Sequence, residues 1–150
     1  MKEIYTLTIK CLDGAHWEEE FSWEVEVPST MTLTQLHRHI QEHIRFDNDH
    51  LAAYYVARDP FARKQVWLTD PERGTGWGKT LAKIYPLESG QKLFYLFDFG
   101  DNWVFSVGKK AKVREAVPKV KYPRVIKESG QLPEQYPDYD DEDDEYYDED

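Results

Sequence analysis

Two histidines and two aspartates are the side chains of this sequence best suited to chemistry. His37 lies in a predicted helix, His50 follows that helix, and Asp98 and Asp101 flank the turn in the segment YLFDFGDNW. Imidazole nitrogens and carboxylate oxygens hold divalent cations or move protons when they converge on a cavity. The same residue types more often cap turns or form structural hydrogen bonds. We keep these four residues and the neighbouring Trp103 as candidate binding residues, and predict no catalytic residue, metal ligand or cofactor.

Two further patterns lack a part that their chemistry needs. His39 and His43 are one helical turn apart, which is a metal-binding spacing, but no Glu follows His39 as in zinc proteases, and we expect a solvated helix face. The segment Arg73–Thr80 ends in Gly-Lys-Thr, as phosphate-binding loops do. Arg73 stands where such a loop needs its first glycine, and Pro86 ends the following helix too early. We expect a surface loop.

Alternating residues predict an N-terminal hairpin. Residues 4–12 form the first strand, which turns Cys11 inward as an inert thiol. Asp13-Gly14 supplies a turn. Residues 17–27 alternate apolar and acidic side chains, which predicts a half-buried strand with a solvated acidic face. The apolar side chains are Trp17, Phe21, Trp23, Val25 and Val27, and the acidic ones are Glu18, Glu20, Glu24 and Glu26.

One convincing helix follows this hairpin. Thr32 and Gln35 form a capping box, and the helix is expected to end near Arg45. Its buried stripe consists of Leu33, Leu36, Ile40 and Ile44. Further strands are expected at 50–58, 64–69, 91–99 and 103–107, with a single helical turn at 81–85. The 91–99 segment is apolar on both sides, as in a central strand covered on both faces.

These elements predict an α+β fold: a mostly antiparallel sheet with one main helix packed on it, arranged as a β-grasp-like roll. We expect a single domain over residues 1–137, of which 109–127 is basic and partly irregular because prolines interrupt it. A disordered acidic tail is expected at 138–150. No segment is apolar enough for a signal peptide or a membrane span, so a cytoplasmic protein is expected.

Three segments together resemble a known family. They are TLTQLHRHIQEHIRFDNDHL from Thr32, YLFDFGDNW from Tyr95 and YPRVIKESGQLPEQYP from Tyr122. In combination they resemble the plasmid Ri open-reading-frame-three-like family, whose members are also known as insertion-element passenger proteins of the TnpR type. The resemblance implies an α+β fold and an association with mobile elements, and no established activity. Phe105 stands where the family typically has a histidine, which weakens any polar site built from that group.

The charge of the chain is divided between two segments. Residues 138–150 hold 10 acidic residues and no basic one, whereas residues 1–137 have 19 of each sign. Residues 109–127 hold eight basic residues and one acidic residue, Glu115. From this stretch we take Lys110, Lys112, Arg114 and Arg124 as candidates for contacts with nucleic-acid phosphates.

The expected function is that of a non-enzymatic interaction module, with an unknown protein as its partner. The tail either solubilises the chain or docks on a basic partner. Two alternatives stay open. One is a nucleic-acid accessory protein that its own tail inhibits, and the other is a small metal-dependent enzyme that uses His37, His50, Asp98 and Asp101.

Overall fold

The N-terminal hairpin is built as expected, except at the start of its second strand. In a computed structural model, which describes residues 2–136, β1 spans Glu3–Asp13 and β2 spans Phe21–Pro28. The strands pair antiparallel, and Cys11 is buried as a free thiol. The prediction that Trp17 belongs to the second strand is wrong. It precedes β2, is 37% exposed, and donates its indole N–H to the carbonyl of Cys11 at 3.1 Å.

The main helix, α1, spans Leu33–Ile44 and confirms the predicted caps. Thr32 accepts the backbone N–H of Gln35, and the Gln35 side chain accepts the backbone N–H of Thr32. Arg45 closes the C-terminus in the left-handed region at φ 61°. The predicted apolar stripe is buried against the sheet, so the helix is held by an amphipathic face.

The remaining elements complete one sheet around the hairpin. Their bounds are β3 Ala52–Ala57, β4 Val66–Trp67, α2 Leu81–Ile84, β5 Lys92–Phe97, β6 Trp103–Lys109, β7 Arg114–Glu115 and β8 Arg124–Ser129. The strand order is β4-β3-β5-β6-β1-β2-β8, with β7 paired to β1. All of these pairs are antiparallel. The mostly antiparallel sheet with a main helix is therefore confirmed, whereas the β-grasp-like roll stays a prediction.

The two faces of the sheet are covered differently. The face towards α1 carries the large aromatic core, in which Trp23, Tyr54, Tyr95 and Trp103 are almost fully buried. The opposite face has a smaller cluster around Tyr55, Phe94 and Val104. Residues 92–97 contribute to both clusters, which confirms that β5 is a central strand covered on both sides.

Residues 71–80 form the predicted loop, whereas the basic stretch 109–127 differs from its prediction. Residues 71–80 form a loop followed by the four-residue α2, and Lys79 donates to the carbonyl of Leu68 at 3.0 Å. The basic stretch is more regular than expected, because β7 and the start of β8 lie within it. Within residues 2–136, neither helix has the length and apolar composition needed to cross a bilayer.

Candidate functional site

His37 is tied into a hydrogen-bond chain between α1 and the sheet. Its Nε2 donates to Asn48 Oδ1 at 2.7 Å, and its Nδ1 meets the hydroxyl of Tyr95. The side-chain amide of Gln41 donates to the same hydroxyl at 2.9 Å. Because Asn48 offers an oxygen, the proton of the neutral ring sits on Nε2, and Nδ1 accepts from Tyr95. Burial lowers the pKa of His37, which favours this neutral form.

His50 and Asp98 meet at the end of β5. Asp98 Oδ1 accepts the backbone N–H groups of Gly100 at 3.0 Å and Asp101 at 3.2 Å, which closes the turn. Its other oxygen, Oδ2, lies 3.4 Å from His50 Nε2. Asp98 is 6% exposed and adopts φ 63°, a conformation that Asp tolerates better than most residues. The turn-capping role is therefore its main one.

The end of the described chain closes over this pair. The hydroxyl of Tyr136 lies 2.9 Å from His50 Nε2 and donates to Asp49 Oδ2 at 2.9 Å. Desolvation and the bond to Asp49, with Asp98 and Asp101 nearby, raise the pKa of Tyr136 to about 12. The structure thus places His50 and Tyr136 beside the carboxylates of Asp49 and Asp98. His37 is not part of this group, because it hydrogen-bonds to Asn48 and Tyr95.

Trp103 is part of the hydrophobic core at this end of the sheet. Its ring packs edge-to-face on Phe46 with centroids 4.9 Å apart, and it is fully buried. Gly14 lies so close that a Cβ there would stand 2.2 Å from the indole ring. Among residues 2–136, no group of three His, Cys, Asp or Glu side chains is arranged to hold a metal ion.

The expectation that His39 and His43 form a solvated helix face is wrong. His39 is 8% exposed, and its Nε2 accepts the indole N–H of Trp23 at 3.0 Å. The His43 ring packs on Trp23 with centroids 4.5 Å apart and planes tilted by 30°, and its Nε2 lies 2.8 Å from Glu128 Oε1. Burial lowers the pKa of both rings, to about 4 for His39. These histidines therefore hold α1 against β2 and β8.

Three of the four basic candidates pair with carboxylates of β2. Lys110 Nζ lies 2.8 Å from Glu24. Arg124 and Arg114 approach opposite oxygens of Glu26, at 2.9 Å and 3.6 Å. Glu26 is only 3% exposed, so the predicted solvated acidic face is wrong at this position.

Lys112 differs from these three. It has no carboxylate within 4.0 Å among residues 2–136. The acidic side of β2 and the basic stretch are thus largely partners of each other.

An apolar groove beside β4 was not anticipated. It has a volume of about 880 Å³ and includes Trp67, Leu96 and Phe99 in its lining. Trp67 is 46% exposed and Phe99 is 41% exposed, although the Trp67 ring also rests on Tyr55 at 4.8 Å. The sequence predicts a strand at 64–69, which contains Trp67, but no exposure for its side chain. The shortness of the Lys64–Thr69 segment was the one available signal that Trp67 lies at a sheet edge.

The fold and these sites define an open, antiparallel α+β sheet protein without a recognised catalytic constellation in its described part. Residues 3–140 match the family described as plasmid pRiA4b ORF-3-like protein, and the chain belongs to that family. The fold is also similar to the crystal structure of a protein of unknown function from Methanosarcina mazei Go1. The TM-score is 0.67, with 21% identity over 84% of this chain and 68% of that one. No curated protein matches the chain.

Proposed function

We propose that this protein is a non-enzymatic interaction module: one α+β domain over residues 1–137 with an acidic tail at 138–150. The single observation that carries the proposal is the apolar groove lined by Trp67, Leu96 and Phe99, which we call the β4 groove. Exposed aromatic side chains grouped in a concave surface are typical of protein–protein contacts. The partner is therefore a protein that presents apolar side chains.

The position of the β4 groove in the sheet supports this proposal. β4 is a two-residue strand at one end of the strand order, so its outer backbone groups face away from the sheet. Val66 beside Trp67 is 56% exposed and points to the other face of the sheet, so each face of this edge carries an exposed apolar side chain. An edge strand with apolar side chains is a surface that another chain can extend or cover.

The environments of the other candidates favour structural roles. A metal-dependent enzyme needs His37 to converge with His50 and Asp98, but both nitrogens of His37 are occupied by Tyr95 and Asn48. Nucleic-acid binding through 109–127 needs free cations, and Lys110, Arg114 and Arg124 already face carboxylates. Both alternatives remain predictions with less support than the β4 groove.

The proposal also includes a cellular location and a link to mobile elements. We place it in the cytoplasm, since its one cysteine is a buried free thiol, which suits a reducing compartment. The proposed link to mobile elements rests on the plasmid origin in the family's name.

Substitutions in the β4 groove test the proposal. Trp67→Ser and Phe99→Ser each remove an exposed aromatic ring, and Val117→Ser, at a residue that is 52% exposed outside the groove, is the matched control. Isotope-coded affinity capture from cells that encode the chain compares what each variant retains. The proposal expects the same bound protein to be lost from both groove variants and kept by the control. Equal capture by all variants that share the wild-type melting temperature contradicts it.

A further inference from the structure

A second groove, of about 570 Å³, lies on the sheet face that α1 leaves uncovered. We call it the lysine groove. Across the β1–β6 pair, Thr8 stands opposite Gly108 and Lys10 stands opposite Ser106. The ring of Phe94 lies beyond Ser106 on β5. The floor thus joins two hydroxyl groups, a glycine and an aromatic ring across three strands.

Gly108 gives the lysine groove its depth. A Cβ built there meets only the carbonyl oxygen of Thr8, at 3.7 Å, which is ordinary contact. The backbone conformation of Gly108 does not require glycine, since its φ is not positive. A larger side chain would therefore fill the groove and place little strain on the strand.

Cations outnumber carboxylates around this groove. Its lining includes Lys10, Lys92 and Lys109 but one carboxylate, Glu20. Glu20 stands 4.0 Å from Lys10, a long and solvent-exposed contact that contributes little. Lys109 Nζ lies over the ring of Tyr5 at 4.7 Å, and Tyr5 belongs to the core on the α1 face, so Lys109 borders the groove while Lys10 and Lys92 face it. The lysine groove is therefore suited to a polyanionic segment.

The surroundings of Tyr136, where the described chain ends, are negatively charged, in contrast to the lysine groove. Tyr136 is bonded to Asp49, and Asp98 and Asp101 lie close enough to raise its pKa. The next residues, 138–150, add 10 acidic side chains. Like charges repel over the Debye length, about 8 Å at physiological salt. The negative charge around Tyr136 therefore disfavours binding of an acidic segment at this point.

The lysine groove lies within reach of that segment. Tyr136 sits near the Phe97 end of β5, and Lys92 begins the same strand, about 20 Å away at 3.3 Å per residue. The 14 residues after Tyr136 span up to about 46 Å when extended. Tethering at such lengths gives an effective concentration in the millimolar range.

We propose that residues 138–150 bind in the lysine groove of their own chain, with their carboxylates against Lys10 and Lys92. This goes beyond the β4 groove, which lies elsewhere on the sheet and has a different lining. Within the basic stretch, Lys110, Arg114 and Arg124 face carboxylates of β2, which leaves Lys112, Lys119 and Lys121 as the competitors for the segment.

Carbodiimide cross-linking of the full chain tests the proposal. The reagent joins a lysine amine to a carboxylate as an amide with loss of water, and mass spectrometry locates each link. Links from 138–150 are expected at Lys10 and Lys92, and at 1 M NaCl, where the Debye length is about 3 Å, they should be lost. Links spread evenly over all exposed lysines, or concentrated on Lys112, Lys119 and Lys121, overturn the proposal.

Substitutions in the groove and isotope labelling provide the controls for this experiment. Gly108→Leu fills the lysine groove without changing charge, and Gly78→Leu is its control, since a Cβ at Gly78 meets nothing within 4 Å. Links to Lys10 should be lost in the first variant and kept in the second. The exposed substitution Lys92→Glu should also remove them, whether or not Gly108→Leu folds. In a mixture of isotopically light and heavy chains, links that join the two kinds would overturn docking within one chain.

Discussion

Replacing Arg124 by glutamine tests how the basic stretch is held to the sheet. Arg124 Nε lies 2.9 Å from Glu26 Oε1, while the second partner, Arg114, stays at 3.6 Å from Oε2. The carboxylate is 3% exposed, whereas the side chains of Arg124 and Arg114 are 47% and 56% exposed. Removing Arg124 therefore leaves a buried charge with one distant partner. Replacing Glu26 by glutamine instead leaves two arginines that water can reach.

Arg124→Gln and Glu26→Gln should therefore lower the free energy of unfolding by different amounts. A hydrogen bond to a charged group contributes about 1.5–3 kcal/mol. Breaking a fully buried ion pair costs about 3–5 kcal/mol, and the cost is smaller here because Arg114 still faces Glu26. We expect Arg124→Gln to lower the free energy of unfolding by about 2–3 kcal/mol. Glu26→Gln keeps an oxygen acceptor and frees half-exposed cations, so we expect about 1 kcal/mol.

Urea unfolding measures both costs, with Lys112→Gln as the control. Lys112 has no carboxylate within 4.0 Å in the described chain and should change stability by less than about 0.5 kcal/mol. For a chain of this size, Arg124→Gln should lower the melting temperature by roughly 4–12 °C. The reasoning is refuted if Glu26→Gln costs as much as Arg124→Gln, or if neither variant differs from the control.

Three further predictions concern the core and the chain end. Burial holds the pKa of His39 near 4 in the folded state, below the ordinary 6.5, so its stabilising effect is complete above pH 6.5 and is lost as the pH falls towards 4. His39→Gln should reduce this loss, up to about 3 kcal/mol, in unfolding measured across that range. Gly14→Ala should cost at least about 1–3 kcal/mol in thermal unfolding because its Cβ meets Trp103, whereas Gly78→Ala, with open space around it, should not. Gln135→Ala should speed amide exchange of the α1–β3 loop, since the Gln135 side chain accepts one backbone N–H there at 2.6 Å and donates to a carboxylate at 2.9 Å.

Local patterns were sufficient to predict the elements that depend on near neighbours. The capping box of Thr32 and Gln35 acts within one turn, so its sequence pattern determined where α1 begins. The alternation in β1 and β2 likewise predicted their buried apolar side chains, but it did not predict the burial of Glu26. In β8, by contrast, every residue is exposed and no alternation is visible, so its pairing with β2 could not be predicted.

The candidate site depends on contacts that no local pattern specifies. His50 meets Asp98 because β3 pairs with β5 on one side and with β4 on the other, and the pairing with β5 places the start of β3 beside the end of β5. His39 is buried because Trp23, sixteen residues earlier, donates its indole N–H to it. Spacing along the helix predicted that His39 and His43 share a side, but the partner of that side comes from tertiary packing.

Photo-cross-linking from the β4 groove tests the proposed function most directly. A benzophenone amino acid replaces Phe99, which is 41% exposed, or Val117 as the control position outside the groove. Illumination in cells that encode the chain should give one discrete adduct from position 99, which Trp67→Ser removes, and none from position 117. The same adducts from both positions, or an adduct from position 99 that Trp67→Ser leaves unchanged, would contradict an interaction module that works through this groove.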